Sequence, residues 1–501
     1  MQNTEYRSLN ALITVADALD VTGAPARDVM ITSLTADSRA VGPGSMFVAV
    51  RGTNVDGHRF ITSACAAGAR AVVCEELPAQ PDPAVTWILV RSSARALGQL
   101  ASQWYGNPSR QLTLVGVTGT NGKTTIATLL YEMARLQGRS AGLLSTVVNK
   151  IDDEEIPSTH TTPDPMELNE LLARMVDHGC DFCAMEVSSH AAAQHRIAGL
   201  DFDGGIFTNL TRDHLDYHGT FANYLAAKQS FFDSLKPEAF ALTNADDRNG
   251  AIMVQNTRAR RYTYSLRGTG DFRGRVEEDR IDGMLLSLNG TPVETMFVGR
   301  FNAANLTAVY GAARLLGEPD ECALRDISML VPVNGRFQPM RSNDGVTAII
   351  DYAHTPDALQ NVLETINEVK GKGAHVITVC GAGGDRDRGK RPLMASVAAA
   401  LSDTVILTSD NPRSEDPDAI IEEMMTGLDD EAKRRTLAVT DRGQAIRVAF
   451  YIAHPGDVVL VAGKGHETYQ VLADRTIHFD DHEHVRRALA DRHVVIYRSD
   501  R

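Results

Sequence analysis

The 501-residue sequence has no run of about 18 consecutive apolar residues, which a membrane-spanning helix would need. Its first residues, 1–5, lack the basic segment and the apolar segment of a secretory signal peptide. Basic residues are in deficit too, since 50 lysines and arginines stand against 64 aspartates and glutamates, for a formal net charge of -14. We therefore predict a cytoplasmic protein with no membrane span and no nucleic-acid partner.

Cysteine is scarce as well, with six residues scattered along the chain, which does not resemble a disulfide framework. Cys180 and Cys183 form a C-x-x-C pair, but they lie in an apolar run that predicts a strand, and no second pair follows. We interpret both as reduced structural residues rather than metal ligands.

The length suits about three domains of roughly 150 residues each. Turn-rich segments at 105–109 and 331–336 place the boundaries, which predicts domains at 1–108, 109–334 and 335–501. The first domain mixes short apolar runs with a helix at 61–68, and the second begins with a strand at 112–117 and a helix at 123–137. In the third, apolar strands alternate with helices, which predicts a mostly parallel sheet.

A glycine-rich segment follows the first apolar run of the central domain. It reads Gly116-Val117-Thr118-Gly119-Thr120-Asn121-Gly122-Lys123-Thr124-Thr125. A loop of this kind at the start of a helix binds phosphate through backbone N–H groups, while Lys123 adds a charge and Thr124 offers a hydroxyl to Mg²⁺. The usual spacing would need glycine at Val117, so this is a variant with glycines three residues apart. The alternative is a glycine-rich turn with a surface lysine.

Two polar clusters follow within the same domain. Glu186 ends an apolar run, and a carboxylate on a neighbouring strand is what a magnesium-nucleotide site needs, although a buried ion-pair partner would look the same. The segment 212–218 is dense in aspartate and histidine, which suggests metal. We nevertheless predict that His218 is a hydrogen-bonded core residue.

Four polar loops follow apolar strands of the C-terminal domain, at 351–354, 381–386, 409–413 and 463–467. The carboxyl ends of parallel strands meet at one edge of a sheet, so these loops should converge on one crevice. We predict a site there for a small zwitterion and for the ribose of a nucleotide. Each loop alone could be a solvated turn, and the loop at 410–413 could cap the helix that starts near Pro417.

Six segments together resemble the Mur ligases. They are 118–125, 186–190, 213–218, 302–305, 351–356 and 410–413. The resemblance extends from Asp37 to Glu467, nearly the whole chain. It implies an α/β protein of three domains: an N-terminal UDP-binding α/β domain, a central P-loop ATPase-like domain with a parallel sheet, and a C-terminal Rossmann-like domain.

The resemblance also implies an amide-bond ligase that uses ATP and Mg²⁺ and releases ADP and phosphate. Its implied reaction adds meso-2,6-diaminopimelate to the D-glutamate γ-carboxylate of UDP-N-acetylmuramoyl-L-alanyl-D-glutamate through an acyl phosphate, in cytoplasmic peptidoglycan precursor synthesis. Lys228 matches a lysine that the family carbamylates to bind a second Mg²⁺.

Residue roles are carried over only where this sequence matches the family. Catalytic residues are Lys123, Glu186, His214 and Lys228, and metal ligands are Thr124, Glu186, His214 and Lys228. Nucleotide contacts are Gly119, Thr120, Asn121, Gly122, Lys123, Thr124, Thr125, Asn305, Arg336 and Asp351. Contacts to the UDP-sugar peptide are Ser38, Thr53, Asn54, Val55, Thr161, Thr162, Ser188, Gln194 and Arg196. The diaminopimelate pocket comprises Arg386, Asp410, Asn411, Pro412, Arg413, Gly463 and Glu467.

One position departs from the pattern, because His160 stands where diaminopimelate-adding relatives often carry asparagine. Two other functions compete with this interpretation. Folylpolyglutamate synthetase shares the glycine loop and the ligase chemistry but should not need the N-terminal domain or the 410–413 loop. A non-catalytic nucleotide-binding regulator would hydrolyse ATP without regard to either substrate.

Overall fold

A computed structural model describes residues 7–24, 29–52, 55–158, 160–211, 213, 215–268 and 270–496. The strands of the first 110 residues are β1 (Arg7–Ser8), β2 (Ala18–Gly23), β3 (Met30–Ile31), β4 (Ser33–Thr35), β5 (Ser45–Val48), β6 (Ala71–Cys74) and β7 (Thr86–Val90). The helices are α1 (Leu9–Val15), α2 (Ile61–Ala66) and α3 (Ser93–Trp104), with 3₁₀ helices at Ser38–Ala40, Gly57–Phe60 and Pro108–Arg110.

The N-terminal sheet has the order β2-β7-β6-β5-β4, with β4 to β7 parallel and β2 antiparallel to β7. Alternate residues of β5 face opposite sides, because side chains of a strand alternate. Met46 and Val48 pack with α1 and α3, whereas Phe47 packs with Ile61 of α2. Helices thus cover both faces of this sheet.

The central strands are β8 (Thr113–Thr118), β9 (Ala141–Leu144), β10 (Val148–Ile151), β11 (Glu154–Pro157), β12 (Phe182–Glu186), β13 (Gly204–Phe207), β14 (Phe240–Asn244), β15 (Arg260–Ser265), β16 (Phe272–Arg280), β17 (Gly283–Leu288) and β18 (Thr291–Thr295). The central helices are α4 (Lys123–Leu136), α5 (Pro165–Asp177), α6 (Ser189–Ala193), α7 (Leu215–His218), α8 (Phe221–Asp233), α9 (Gly250–Met253), α10 (Arg300–Leu315) and α11 (Asp320–Met329).

These strands form one sheet in the order β11-β10-β9-β12-β8-β13-β14-β15-β16-β17-β18. Neighbours from β9 to β16 in that order run parallel, as predicted. Both ends of the sheet are antiparallel, through β10 and β11 on one side and β17 and β18 on the other, which the sequence did not lead us to expect. The apolar face of α4, with Ile126, Leu130 and Met133, packs on the parallel centre.

The C-terminal strands are β19 (Gln338–Arg341), β20 (Thr347–Asp351), β21 (Val376–Cys380), β22 (Thr404–Leu407), β23 (Thr436–Ala438), β24 (Val458–Ala462), β25 (Tyr469–Val471) and β26 (Thr476–His478). The helices are α12 (Pro356–Val369), α13 (Lys390–Leu401), α14 (Pro417–Met425), α15 (Asp430–Arg434), α16 (Arg442–Ile452) and α17 (Asp481–Ile496).

The third sheet has the order β19-β20-β24-β21-β22-β23, and every pair except β19 with β20 is parallel. This confirms the mostly parallel sheet. All residues of β21 and β24 are buried, because helices cover both faces, and this explains their unbroken apolar sequences. No helix of the described residues is long and apolar enough to cross a membrane.

The predicted domain boundaries fall in short connections of this fold. The first lies at the 3₁₀ helix Pro108–Arg110, between α3 and β8, and the second lies between α11 and β19. Cys180 and Cys183 are buried free thiols, as expected, although β12 begins only at Phe182.

Candidate active site

The phosphate loop joins β8 to α4. Gly119 and Gly122 have φ angles of 151° and 87°, a region of backbone conformation that favours glycine. A Cβ atom would come within 1.8 Å of Thr208 Oγ1 at Gly119 and within 2.7 Å of Asn305 Oδ1 at Gly122. The loop therefore requires both glycines, and the first N–H groups of α4, which lack intrahelical acceptors, stand at its end.

Thr124 and Glu186 meet beside this loop, as the sequence predicted for a cation site. The Thr124 hydroxyl donates to Glu186 Oε1 at 2.8 Å, and the backbone N–H of Thr146 donates to the same oxygen at 2.8 Å. Arg336 Nη2 donates to Thr124 Oγ1 at 3.0 Å. Glu186 is 1% exposed, and its second oxygen has no hydrogen-bond partner among the described residues.

An orphaned, buried carboxylate oxygen beside a hydroxyl fits a hard divalent cation. The described residues contain no group of three or more His, Cys, Asp and Glu side chains that could hold a metal ion. This does not conflict with Mg²⁺, which takes one or two carboxylates and completes its shell with phosphate oxygens and water. His214, the third predicted ligand, lies outside the described residues.

Two lysines converge on one carbonyl oxygen of the loop. Lys123 Nζ donates to Gly119 O at 3.0 Å and to Thr120 O at 2.8 Å, while Lys228 Nζ donates to Gly119 O at 2.7 Å. Lys228 is 1% exposed, and its nitrogen lies 4.9 Å from the centre of the Tyr224 ring. Burial, and then repulsion from Lys123, lowers the pKa of Lys228 well below its usual value. Burial also lowers the pKa of Lys123.

The histidine-rich segment contributes to the core as well as to the site. His218 is buried, and its Nε2 lies 2.9 Å from the Ser189 hydroxyl, which confirms the prediction of a hydrogen-bonded core histidine. Asp213 lines the larger of two cavities described below.

The five central residues predicted to hold the sugar peptide form one network. Thr162 Oγ1 donates to Glu186 O at 2.8 Å and accepts from the Ser188 backbone N–H at 3.1 Å. Arg196 reaches Gln194 Oε1 through Nε and Nη2, and Thr162 O through Nη1. Thr161 Oγ1 accepts from the Thr146 hydroxyl at 3.0 Å. The structure therefore brings all five together next to Glu186.

A cavity of about 420 Å³ opens from the phosphate loop towards α12. Its lining includes the predicted nucleotide contacts Asn121, Gly122, Thr125, Asn305, Arg336 and Asp351. Each carboxylate oxygen of Asp351 already accepts a hydrogen bond, from the backbone N–H groups of Phe337 and Ala353, both at 2.7 Å. Burial nevertheless raises the pKa of its carboxyl.

A second cavity, of about 700 Å³, adjoins the first, and Tyr352 and His354 line both. The four C-terminal loops meet there, as expected, with Arg386, Asp410, Asn411, Arg413, Gly463 and Glu467 in its wall. Pro412 is the one predicted pocket residue that does not line it. A Cβ atom at Gly384 would come within 1.8 Å of Pro412 O, so this proline packs against the neighbouring loop instead.

The loop at 410–413 is held in a fixed conformation. Arg413 has a positive φ of 54°, its backbone N–H donates to Val471 O at 3.0 Å, and its Nη1 donates to Gly384 O at 2.7 Å. The next helix, α14, is capped by Asp416, whose carboxylate accepts from the Asp418 N–H at 3.0 Å. The capping interpretation therefore holds for Asp416, and the loop before it remains available to the cavity.

Ser38 and Val55, two of the predicted UDP-sugar contacts of the N-terminal domain, do not line either cavity. Ser38 begins a 3₁₀ helix that Asp37 caps, and Val55 is an exposed loop residue. Thr53 and Asn54 lie outside the described residues. The roles of these four residues stay predictions.

Several residues of the site were missed by sequence reasoning. Thr146 supports Glu186, and Asp357 Oδ2 accepts from Asn121 Nδ2 at 3.1 Å across the seam between the central and C-terminal parts. Lys390 lines the second cavity and donates to His354 O at 3.0 Å. Asp357 and Lys390 each stand at the start of a helix, where a lone polar residue gives no local signal. Lys464 lies in the loop 463–467, which the sequence did single out, although no role was predicted for it.

Comparison with known proteins gives a consistent result. Three family models match this chain. The model described as 'Mur ligase family, catalytic domain' matches residues 30–105, and 'Mur ligase middle domain' matches residues 117–313. The model described as 'Mur ligase, glutamate ligase domain' matches residues 335–465. A UDP-N-acetylmuramoyl-L-alanyl-D-glutamate--2,6-diaminopimelate ligase of Parabacteroides distasonis is 58% identical over 478 residues, which cover 95% of this chain and 98% of that protein.

Two solved structures extend the comparison. One with the same ligase name has a TM-score of 0.70 at 33% identity and covers 98% of this chain and 100% of its own. A folylpolyglutamate synthase of Mycobacterium tuberculosis, complexed with ADP and AMPPCP, has a TM-score of 0.60 at 17% identity, covers 74% of this chain and 93% of its own, and shares the fold alone.

The α/β sheets, the phosphate loop and the adjoining charged cavity define a nucleotide-dependent enzyme of the ligase class. The chain belongs to the Mur ligase family, and it is an ATP-dependent ligase.

Proposed function

We propose that this enzyme joins meso-2,6-diaminopimelate to the D-glutamate γ-carboxylate of UDP-N-acetylmuramoyl-L-alanyl-D-glutamate in the cytoplasm, as a step of peptidoglycan precursor synthesis. The observation that carries the proposal is the second cavity, where Arg386, Arg413, Asp410 and Glu467 offer both signs of charge to a zwitterion. The names of relatives up to 58% identical support the same reaction.

We assign one of the three substrates to each of the predicted domains. Residues 1–108 would hold the UDP end of the substrate, 109–334 the ATP, and 335–501 the incoming amino acid. In support, the nucleotide cavity lies at the phosphate loop, and Tyr352 and His354 connect it to the cavity for the amino acid. A carboxylate activated in the first cavity thus needs to move little to meet an amine in the second.

The reaction begins because a carboxylate has a poor leaving group and must first be activated. An oxygen of the γ-carboxylate attacks the γ-phosphorus of ATP, the bond to the bridging oxygen breaks, and ADP leaves an acyl phosphate. Lys123, at the first turn of α4, offsets the negative charge that gathers when the two anions meet. The network of Thr161, Thr162 and Arg196 holds the acceptor in line with it.

The second half forms the amide. The neutral amine of diaminopimelate attacks the acyl carbon, the carbon–oxygen bond to phosphate breaks, and the nitrogen loses a proton. Asp410 and Glu467 would bind an ammonium group of the amino acid, while Arg413 and Arg386 would bind a carboxylate. Closure of the central and C-terminal parts around the substrates would protect the acyl phosphate from water.

Thr124, Glu186, His214 and Lys228 are the residues we propose to hold Mg²⁺, which would neutralise phosphate charge and polarise the phosphoryl oxygens. For Lys228 we propose carbamylation. Its neutral amine attacks carbon dioxide, a nitrogen–carbon bond forms, and one proton is released to solvent. The buried position of Lys228 and its lowered pKa favour the neutral amine that this addition requires.

The deciding experiment supplies ATP, the UDP-muramoyl dipeptide and an equimolar mixture of amino acids, and identifies the product by mass. We expect the adduct of meso-diaminopimelate, with one ADP and one phosphate released per product. Glutamate addition to a folate would favour folylpolyglutamate synthetase, and slow hydrolysis of ATP indifferent to both substrates would favour a regulator.

A further inference from the structure

A lysine lies fully buried behind the wall of the second cavity. Lys464, on the loop after β24, has 0% of its side chain exposed. Its Nζ lies 3.1 Å from Asn411 Oδ1, 3.2 Å from Glu467 Oε2 and 3.5 Å from Asp410 Oδ1. These three partners line the cavity, whereas Lys464 does not. One ammonium group therefore ties the loop after β22 to the loop after β24.

The arrangement suits lysine in particular. An ammonium group carries three donors on one atom. Two of them meet the oxygens of Asn411 and Glu467 at hydrogen-bond distance, while Asp410 Oδ1 lies 3.5 Å away as an ion-pair partner. Asn411 is oriented at the same time, because its Oδ1 accepts from Lys464 and from the Val471 N–H, while its Nδ2 donates to Glu467 Oε2 at 2.8 Å. Without the lysine, the amide of Asn411 would lose the charged partner that fixes its direction.

The charge of Lys464 also acts on the carboxyl of Asp410. Burial opposes ionisation of Asp410, but Lys464, followed by Arg442, His354 and Arg413, lowers the pKa of its carboxyl below the usual value. Asp410 and Glu467 both lie within 3.5 Å of one nitrogen atom, so they are close enough to repel each other if that cation is removed. Asp410 would then bind a proton more readily.

We propose that Lys464 is a positioning residue that holds the carboxylates of Asp410 and Glu467 in the orientation that receives an ammonium group of the incoming amino acid. This inference rests on the proposed function, since it deepens the description of the same cavity. It gives Lys464 no contact with substrate. The cation acts through the two carboxylates and the amide that face the cavity.

A second buried ion pair of the same domain offers a contrast. Arg442 and Asp481 are both fully buried, with Nη2 and Oδ2 2.7 Å apart, and neither lines the cavity. Breaking this pair by removing one partner would lower stability, whereas Arg442 acts on Asp410 only through its charge and holds none of the oxygens of the cavity wall. Lys464 differs because every oxygen that it holds belongs to the cavity wall.

The test compares wild type with Lys464→Gln, which keeps a hydrogen-bond donor but removes the charge. We expect KM for meso-diaminopimelate to rise at least about tenfold, with KM for ATP and kcat changed less than about threefold. The acid limb of kcat/KM for diaminopimelate should move up by about one pH unit, because one carboxyl now binds a proton. The groups facing this pair are Lys464, Lys390, Arg442, Arg413, His354, Tyr352 and Tyr469.

Two further variants make the result specific. Lys464→Arg restores the charge and should restore the wild-type pH profile, even if the larger guanidinium group of arginine raises KM. Lys370→Gln is the matched control, since Lys370 Nζ lies 3.9 Å from Asp403 Oδ2 in the same domain and outside the cavity. It should leave KM and the pH profile unchanged. If Lys464→Gln does not fold, a shifted pH profile in Lys464→Arg overturns the proposal.

The outcomes separate this inference from the function on which it rests. No diaminopimelate product from wild type would overturn both. A wild type that makes the product, together with a Lys464→Gln variant of unchanged KM and unchanged pH profile, overturns only the role of Lys464. A fall in kcat and in thermal stability with no selective effect on diaminopimelate assigns Lys464 to structure alone and also overturns it.

Discussion

Two buried lysines of this enzyme have opposite surroundings. Lys228, in the central part, donates to a backbone carbonyl, lies over the Tyr224 ring and is repelled by Lys123. Lys464, in the C-terminal part, has two carboxylates within 3.5 Å. Neither side chain is more than 1% exposed. The two lysines are equally buried, so the difference in their charged neighbours leads us to expect different chemistry from each.

A buried ammonium whose burial and cationic neighbour outweigh any opposite charge tends to lose its proton and become a nucleophile. A buried lysine between carboxylates has ion-pair partners that hold it in place. The first environment suits a covalent modification, and the second suits the organisation of a binding site. The predictions below test this contrast, beginning with the largest effect.

Lys123 shares the Gly119 carbonyl with Lys228 but stands at the first turn of α4, where the phosphates of ATP are expected. Lys123→Ala should lower kcat by at least about 10⁴-fold, because charge stabilisation of the transferred phosphoryl group is lost. ADP formation and thermal unfolding should be measured together. An unchanged melting temperature with lost turnover supports the charge role, and near-normal turnover contradicts it.

Lys228 is expected to act through a carbamate rather than through its ammonium. Lys228→Met keeps the side-chain volume and should still lower kcat by about 10²- to 10³-fold, because it cannot supply oxygen ligands. A small carboxylate in solution should restore part of the activity of Lys228→Ala. Density for an unmodified lysine in a crystal of active, metal-bound enzyme would refute carbamylation.

Arg413 tests the charged cavity from its other side. Meso-diaminopimelate differs from lysine by a carboxylate at the far end, which a guanidinium binds in two places, whereas it repels the ammonium of lysine. We expect wild type to prefer diaminopimelate strongly, and Arg413→Ala to lose about 10²-fold in kcat/KM for it with KM for ATP unchanged. The two amino acids should compete at equal concentration. Preferential incorporation of lysine by wild type would contradict the pocket while leaving the ligase reaction intact.

The parts of the site that could be predicted from sequence are those that short continuous segments encode. The phosphate loop holds Gly119, Gly122, Lys123 and Thr124 within six residues, so its local spacing carries the information. The four C-terminal loops could also be placed together, because parallel strands present their carboxyl ends at one edge. Strand positions followed from apolar runs that are buried on both faces.

The remaining contacts join residues far apart in the chain. Asn121 meets Asp357 across 236 positions, and Lys464 meets Asn411 across 53. No local pattern predicts such a pair, because it depends on how two sheets face each other. The antiparallel ends of the central sheet were missed for a similar reason, since short hairpins such as β10 and β11 resemble polar loops in sequence.

The smallest predicted effect concerns His466, which has a cationic neighbourhood and an Nδ1 without a hydrogen-bond partner among the described residues. Burial, followed by the charges of Arg336, His354 and Lys464, lowers the pKa of His466 to about 3 from a model-peptide value of 6.5. Between these values the unfolded chain binds more protons than the folded one, so stability falls as the pH falls.

Wild type should therefore lose about 1 kcal/mol of unfolding free energy relative to His466→Gln when the pH is lowered from about 7 to about 5.5. The loss begins near the unfolded pKa and grows towards the folded one, and it is absent above about pH 7. Denaturant unfolding of both proteins across this range measures it. Parallel stability curves would mean that burial does not lower the pKa of His466. They would also weaken the argument that burial and a positive neighbour lower the pKa of Lys228, because both residues share these two causes.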